Sequence, residues 1–88
     1  MDPIPRLPRG VRLHDDRVRG VPVLLGPERA LILDEIGAAI LAEIDGTRTG
    51  AIVARLAARY DAPAAEIGAD VRAFLDDLQR QRLVDYDA

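Results

Sequence analysis

Apolar periodicity in this chain changes once, at Asp34. Before that point apolar residues come in short strand-like runs: Val11-Arg12-Leu13, Val21 to Leu25, and Ala30 to Leu33. After it they recur at helical spacing. Side chains repeat every two residues on a strand and every 3.6 on a helix, so one segment cannot serve both patterns. Strands therefore come first and helices follow. That segregation argues for α+β: three short antiparallel strands followed by a three-helix bundle.

The clearest strand signal is the stretch PVLLGPERALILDE, residues 22–35. Gly26-Pro27-Glu28-Arg29 separates its two apolar runs and reads as a turn, since proline pre-sets the first central position of one. Pro22 cannot donate to a ladder, which suits a strand start or an edge. In the last run Leu31 and Leu33 face one side, Ala30 and Ile32 the other. His14-Asp15-Asp16-Arg17 is polar and turn-like, and Val18 to Gly20 belongs to that turn or to the next strand.

Ile36, Ile40, Leu41 and Ile44 form the stripe of a first helix running to Asp45-Gly46. Asp34 is its N-cap. Thr47 or Thr49 caps a second helix with the stripe Ile52, Val53, Leu56, Ala57 and Tyr60. Pro63 opens a third, which carries Ile67, Val71, Phe74, Leu75 and Leu78 and runs to about Arg82. Leu83-Val84 is expected to fold back onto the core. Gly37 and Gly68 fall inside helices, where each costs about 1 kcal/mol relative to alanine, so close helix approach is the expected reason for them.

Residues 1–9 contain Pro3, Pro5 and Pro8 and read as a flexible N-terminal arm, leaving residues 10–88 as one recognition domain. Charge is uneven. Residues 1–20 carry five Arg against three Asp, residues 21–88 seven Arg against twelve acids. A mobile, solubilising head explains the first segment; a grip on an acidic partner is the alternative. No stretch approaches the length of a membrane span and the start lacks an apolar signal core, so the expectation is a soluble, cytoplasmic protein.

Composition removes whole classes of chemistry. The chain has no Cys, Ser, Lys or Asn. A Cys, Ser or Lys nucleophile, a thiolate metal site and a phosphopantetheine attachment point are therefore all excluded. The acid pairs Asp15-Asp16, Asp34-Glu35 and Asp76-Asp77 are neighbours in sequence and point apart, so they read as caps and solvated faces. His14 has no ligand-spaced companion. No catalytic residue, metal or cofactor is assigned, and the chain is not read as an enzyme.

Three helices with a small sheet suggest a winged-helix-turn-helix, whose usual partner is DNA. Here Arg72, Arg80 and Arg82 of the third helix face Glu66, Asp70, Asp76 and Asp77. Phosphate binding depends on neutralising backbone charge, so a DNA-binding regulator is the weaker reading. The run Ala30 to Leu33 points elsewhere. Proteins usually blunt an open strand with charge, proline or a cover. This run carries few such gatekeepers, and β-augmentation by another chain would use it. A second copy of the chain, giving a homodimer, would use it too.

The segments RLPRGVRLHDD, VLLGPERALILDE, GAAILAEIDGTRT and ADVRAFLDDLQRQRLV, in this order and spacing, together resemble the PqqD family of peptide chaperones in pyrroloquinoline quinone (PQQ) biosynthesis. The resemblance spans about residues 6–84. It implies a recognition element for ribosomally made peptides. Such an element binds the precursor PqqA as a strand added to the third strand, flanked by the third helix, and presents it to the radical S-adenosylmethionine enzyme PqqE. Carried onto this chain, the peptide edge is Ala30, Leu31, Ile32, Leu33 and Asp34. The groove wall includes Val71, Phe74, Leu75 and Leu78.

Overall fold

The computed structural model describes residues 2–87; the ends of the expected spans at positions 1 and 88 lie outside the described residues. In chain order the elements are β1 (Ile4–Arg6), β2 (Arg12–Asp16), β3 (Val21–Gly26), β4 (Arg29–Ile32), α1 (Glu35–Ala42), α2 (Thr49–Tyr60), α3 (Ala64–Arg80) and β5 (Asp85–Asp87). The fold is α+β, as the change of period at Asp34 requires. Strands β2, β3 and β4 form an antiparallel meander in that order. The expected three strands are joined by two more, because β1 and β5 pair antiparallel as a separate ribbon made from the two ends of the chain.

That ribbon corrects the expectation of a flexible arm. Ile4, Pro5 and Arg6 pair with Asp87, Tyr86 and Asp85, and Pro5 is fully buried. Proline is accommodated on edge strands, and both strands of a two-stranded ribbon are edges. Arg6 bridges Asp85 at 3.3 Å and Asp87 at 3.2 Å. The arm also closes the start of α2. Neither Thr47 nor Thr49 acts as a side-chain cap there. The N-cap is Arg48, without a capping side chain. Instead Gly50 N–H donates to Asp2 Oδ1 (2.9 Å) and Thr49 N–H to the Pro3 carbonyl (3.0 Å). Thr49 Oγ1 donates to the same carbonyl at 2.9 Å. A sequence-local search for caps does not reach a donor set satisfied from 48 residues away.

Strand β2 continues to Asp16, three residues beyond Leu13, because His14, Asp15 and Asp16 pair with Val23, Pro22 and Val21. Pairing overrides the polar, turn-like composition. The turn itself is held by Asp16, whose Oδ1 accepts from Val18 and Arg19 N–H at 3.0 and 3.1 Å.

The core joins one sheet face to all three helices. Leu24, Leu33, Ile40, Leu41, Ile52, Leu56, Val71, Leu75 and Leu78 are buried together. Leu83 and Val84 do fold back into this cluster, at 3% and 0% exposure. Leu83 lies so close to β3 that a Cβ at Gly26 would meet its Cδ2 at 2.8 Å. Helix α1 ends at Ala42, earlier than the expected Asp45, although Ile44 still packs against the core. Ile36, placed on the core stripe by its spacing, is 40% exposed.

Candidate functional site

Strand β4 is an outer strand of the meander, and among the described residues no strand pairs with its far side. The two-residue turn Pro27-Glu28 fixes what that side offers. Gly26 pairs with Arg29, Leu25 with Ala30, Leu24 with Leu31 and Val23 with Ile32. Directly opposed residues in an antiparallel ladder alternate between hydrogen-bonded and non-bonded pairs, and the pair closing a two-residue turn is bonded. The Leu33 N–H to Pro22 carbonyl bond, 3.0 Å, confirms the phase. Arg29, Leu31 and Leu33 therefore turn their peptide groups toward β3. Ala30 and Ile32 turn theirs outward, which leaves two N–H donors and two carbonyls on the free edge.

The row stops at Asp34. Its carbonyl accepts from Ala38 N–H (3.0 Å) and its Oδ1 from Gly37 N–H (2.7 Å), so both acceptors belong to the start of α1. Only the Asp34 N–H remains to extend the edge.

Side chains along β4 sort as the two-residue period requires. Leu33 is buried and Leu31 half-buried against the core, whereas Ala30 is exposed and Ile32 is 59% exposed. Ile32 opposes buried Val23 on the outer sheet face. With Ile36, it makes two large apolar residues open to solvent around the end of the strand.

The C-terminal end of helix α3 is tied to the first residue of this strand by one hydrogen bond, and a second braces that link within the helix. Arg29 Nη1 donates to Gln81 Oε1 at 2.8 Å, and Gln81 Nε2 to Asp77 Oδ2 at 3.0 Å. Seven residues earlier on α3, the Phe74 ring abuts Gly37: a Cβ there would meet Phe74 Cζ at 3.1 Å. These contacts set the C-terminal end of α3 against β4 and the Phe74 ring against α1. Of the four α3 residues read from the sequence as a groove wall, Phe74 is half-buried. Val71, Leu75 and Leu78 are 1%, 0% and 3% exposed and belong to the core. Arg29, Gln81 and Gly37 were not singled out from sequence for these contacts. Gly37 alone left a signal, a helical glycine with no local reason.

Among the described residues no cluster of three or more His, Cys, Asp or Glu is arranged to hold a metal ion. No described helix is long and apolar enough to cross a membrane.

Comparison with known proteins identifies the lineage. The family model for coenzyme PQQ synthesis protein D (PqqD) matches residues 23–84. The chain belongs to the PqqD family. A PqqA binding protein of Rhizobium meliloti is 48% identical over 81 residues, 91% of this chain and 83% of the relative. One from Xanthomonas axonopodis pv. citri is 48% identical over 84 residues, 94% and 91% of the two chains. The solution NMR structure of the PqqD part of Methylobacterium extorquens PqqCD, a stand-alone RiPP recognition element, superposes with a TM-score of 0.80. It is 44% identical, covering 92% of this chain and 87% of that one. The crystal structure of PqqD from Xanthomonas campestris gives 0.60 at 44% identity, covering 88% and 87%. In Methylorubrum extorquens a segment 43% identical to this PqqD-family chain is part of a bifunctional coenzyme PQQ synthesis protein C/D.

Proposed function

We propose that this PqqD-family chain binds the precursor peptide PqqA as a fourth strand on β4 and presents it to the radical S-adenosylmethionine enzyme PqqE. The carrying observation is the outward row of peptide groups at Ala30 and Ile32, unpaired among the described residues. A guest strand pairs along Ala30, Leu31, Ile32, Leu33 and Asp34. Phe74 forms the wall it meets, while Val71, Leu75 and Leu78 set the position of α3 from within the core. Four or five main-chain hydrogen bonds contribute about 0.5–1.5 kcal/mol each. Association itself costs about as much or more, so apolar contacts at Ile32, Leu31 and Phe74 have to supply the balance. The role is binding rather than catalysis.

The same edge supports a second reading, pairing of two copies through β4. One experiment separates them. The ¹⁵N-labelled protein is titrated with PqqA while amide shifts and sedimentation are followed. The proposal expects saturable shifts at residues 30–34 with one protein chain per complex. Unchanged amides there, or a dimer that the peptide leaves intact, would exclude the guest strand.

A further inference from the structure

The solvent face of the meander is apolar on one side only. On β3 and β4 the side chains turned away from the core are Val23, Leu25, Ala30 and Ile32, because Val23 opposes Ile32 and Leu25 opposes Ala30. Across β2 the same face carries His14 opposite Val23 and Arg12 opposite Leu25, both exposed. An antiparallel sheet with one solvated face normally carries polar residues on it. Strand β2 obeys that rule and β4 does not: Ile32 is 59% exposed, and Ala30 is exposed beside it. Among the described residues none of these four apolar side chains belongs to the core cluster beneath the helices. The apolar strip runs from β3 out to the free edge and ends there with nothing beside it.

The phase of the ladder decides what continues the strip. Ala30 and Ile32 direct their peptide groups outward, so in an antiparallel guest the residues directly opposite exchange both bonds with them. Directly opposed residues share a sheet face. The two guest residues bonded to Ala30 and Ile32 are therefore two positions apart, and both place their side chains on the solvent face. The guest residue between them, opposite Leu31, turns to the other face. The two solvent-face positions are unequal. Ile32 offers a branched apolar surface to its opposite number. Ala30 offers a single methyl group with half-buried Leu25 behind it, which leaves room for a larger side chain to lean across.

We infer that this solvent face selects the guest. It takes a peptide segment with apolar side chains two residues apart, the larger one opposite Ala30, and it rejects a charge at either position. A charged group laid against Ile32 or Leu25 would lose water without gaining a partner, since neither side chain can hydrogen-bond. The inference rests on the strand-addition reading and adds to it a side-chain rule. Main-chain bonds hold any strand, whereas Ala30 and Ile32 decide which strand is held.

The test measures PqqA binding to the full chain by calorimetry and follows the amide shifts of the ¹⁵N-labelled protein. Ile32→Glu and Ile32→Lys keep the outward peptide row and place opposite charges on the strip; Ala30→Leu fills the gap beside Leu25. Both positions are exposed, and circular dichroism verifies that the variants fold. The two charged variants are expected to bind PqqA about fivefold more weakly or worse, whichever the sign, while saturating peptide still shifts residues 30–34. Ala30→Leu is expected to weaken PqqA by about threefold, and in a set of PqqA peptides with alanine at each position in turn, one substitution should cancel that loss. Unchanged affinity in all three variants, with residues 30–34 still shifted, overturns the inference and leaves strand addition standing. A loss with one charge matched by a gain with the other also overturns it, since the face would then read charge. If PqqA leaves residues 30–34 of the wild type unmoved, strand addition itself fails and the side-chain rule falls with it.

Discussion

The ring of Phe74 rests against the backbone of Gly37. A methyl group at Gly37 would stand 3.1 Å from Phe74 Cζ and 3.0 Å from Asp34 Oδ1. This contact packs α3 against the start of α1. Glycine is retained there although alanine is worth about 1 kcal/mol more in a helix.

Gly37→Ala is accordingly expected to destabilise the protein by about 1 kcal/mol. Helix propensity gains about 1 kcal/mol. Overpacking costs about 1–3 kcal/mol, and both neighbours are held, Asp34 by its 2.7 Å capping bond and Phe74 by the core beneath it. Urea denaturation measures the sum. In a Phe74→Leu background the same change should cost less, and a cost that persists unaltered would show that the ring is not the obstacle.

The order of elements was legible in the sequence because period is a local property. The change at Asp34, the cap it provides and the fold-back of Leu83-Val84 all follow from residues close in the chain. The ribbon of β1 and β5 was not legible, since its partners are 79 to 83 positions apart and each strand has three residues. Only the charges of Arg6, Asp85 and Asp87 hinted at it. For the proposed peptide site, the sequence reading named a strand and a helix, and the structure separates the helix residues by burial. Spacing alone did not separate Phe74, at the edge of the α3 stripe, from Val71, Leu75 and Leu78 at its centre, because all four share one helical face.

The N-terminal segment is expected to contribute to stability through α2. Asp2→Ala removes the acceptor for Gly50 N–H, and loss of an N-cap costs about 1 kcal/mol. For a chain of this size that lowers the melting temperature by about 4–8 °C. Hydrogen exchange at Gly50 should accelerate most. An unaltered melting curve and unaltered exchange would return residues 1–9 to the status of a loose arm.

Glu28 carries φ 63° in the turn between β3 and β4. The left-handed region costs a residue with a Cβ about 1–2 kcal/mol, and glycine loses about 0.5–1 kcal/mol of that advantage through the entropy of the unfolded chain. Glu28→Gly should therefore stabilise the protein by about 0.5–1 kcal/mol in denaturant titrations. The β4 register is expected to remain, so PqqA binding should be preserved or slightly improved.

Tyr86 Oη donates to Asp76 Oδ1 at 2.6 Å, tying β5 to α3. Burial, then that bond and the carboxylate charge, push the phenol well above its ordinary value near 10. The folded state favours neutral Tyr86. Its contribution is complete below the unfolded value and is lost as pH rises above about 10, because the unfolded chain ionises first. In a Tyr60→Phe variant, absorbance near 295 nm then reports Tyr86 alone. It should show no phenolate at pH 10 while the protein stays folded. Tyr86→Phe should flatten the alkaline fall in stability.

The phase of the β4 ladder makes the sharpest distinction between neighbouring positions. Ile32 directs its N–H outward, so proline there deletes a donor that only a guest strand uses, and edge strands accept proline. Leu31 directs its N–H toward Leu24 in β3, so proline there breaks a ladder bond inside the fold. Ile32→Pro is expected to keep its melting temperature within a few degrees and to lose PqqA binding at least tenfold. Leu31→Pro is expected to destabilise the protein by about 3 kcal/mol, whatever happens to the peptide. Thermal melts and calorimetry on the two variants read both effects. If Ile32→Pro unfolds while Leu31→Pro does not, the outward row has been assigned to the wrong residues, and the guest strand loses its seat at Ala30 and Ile32.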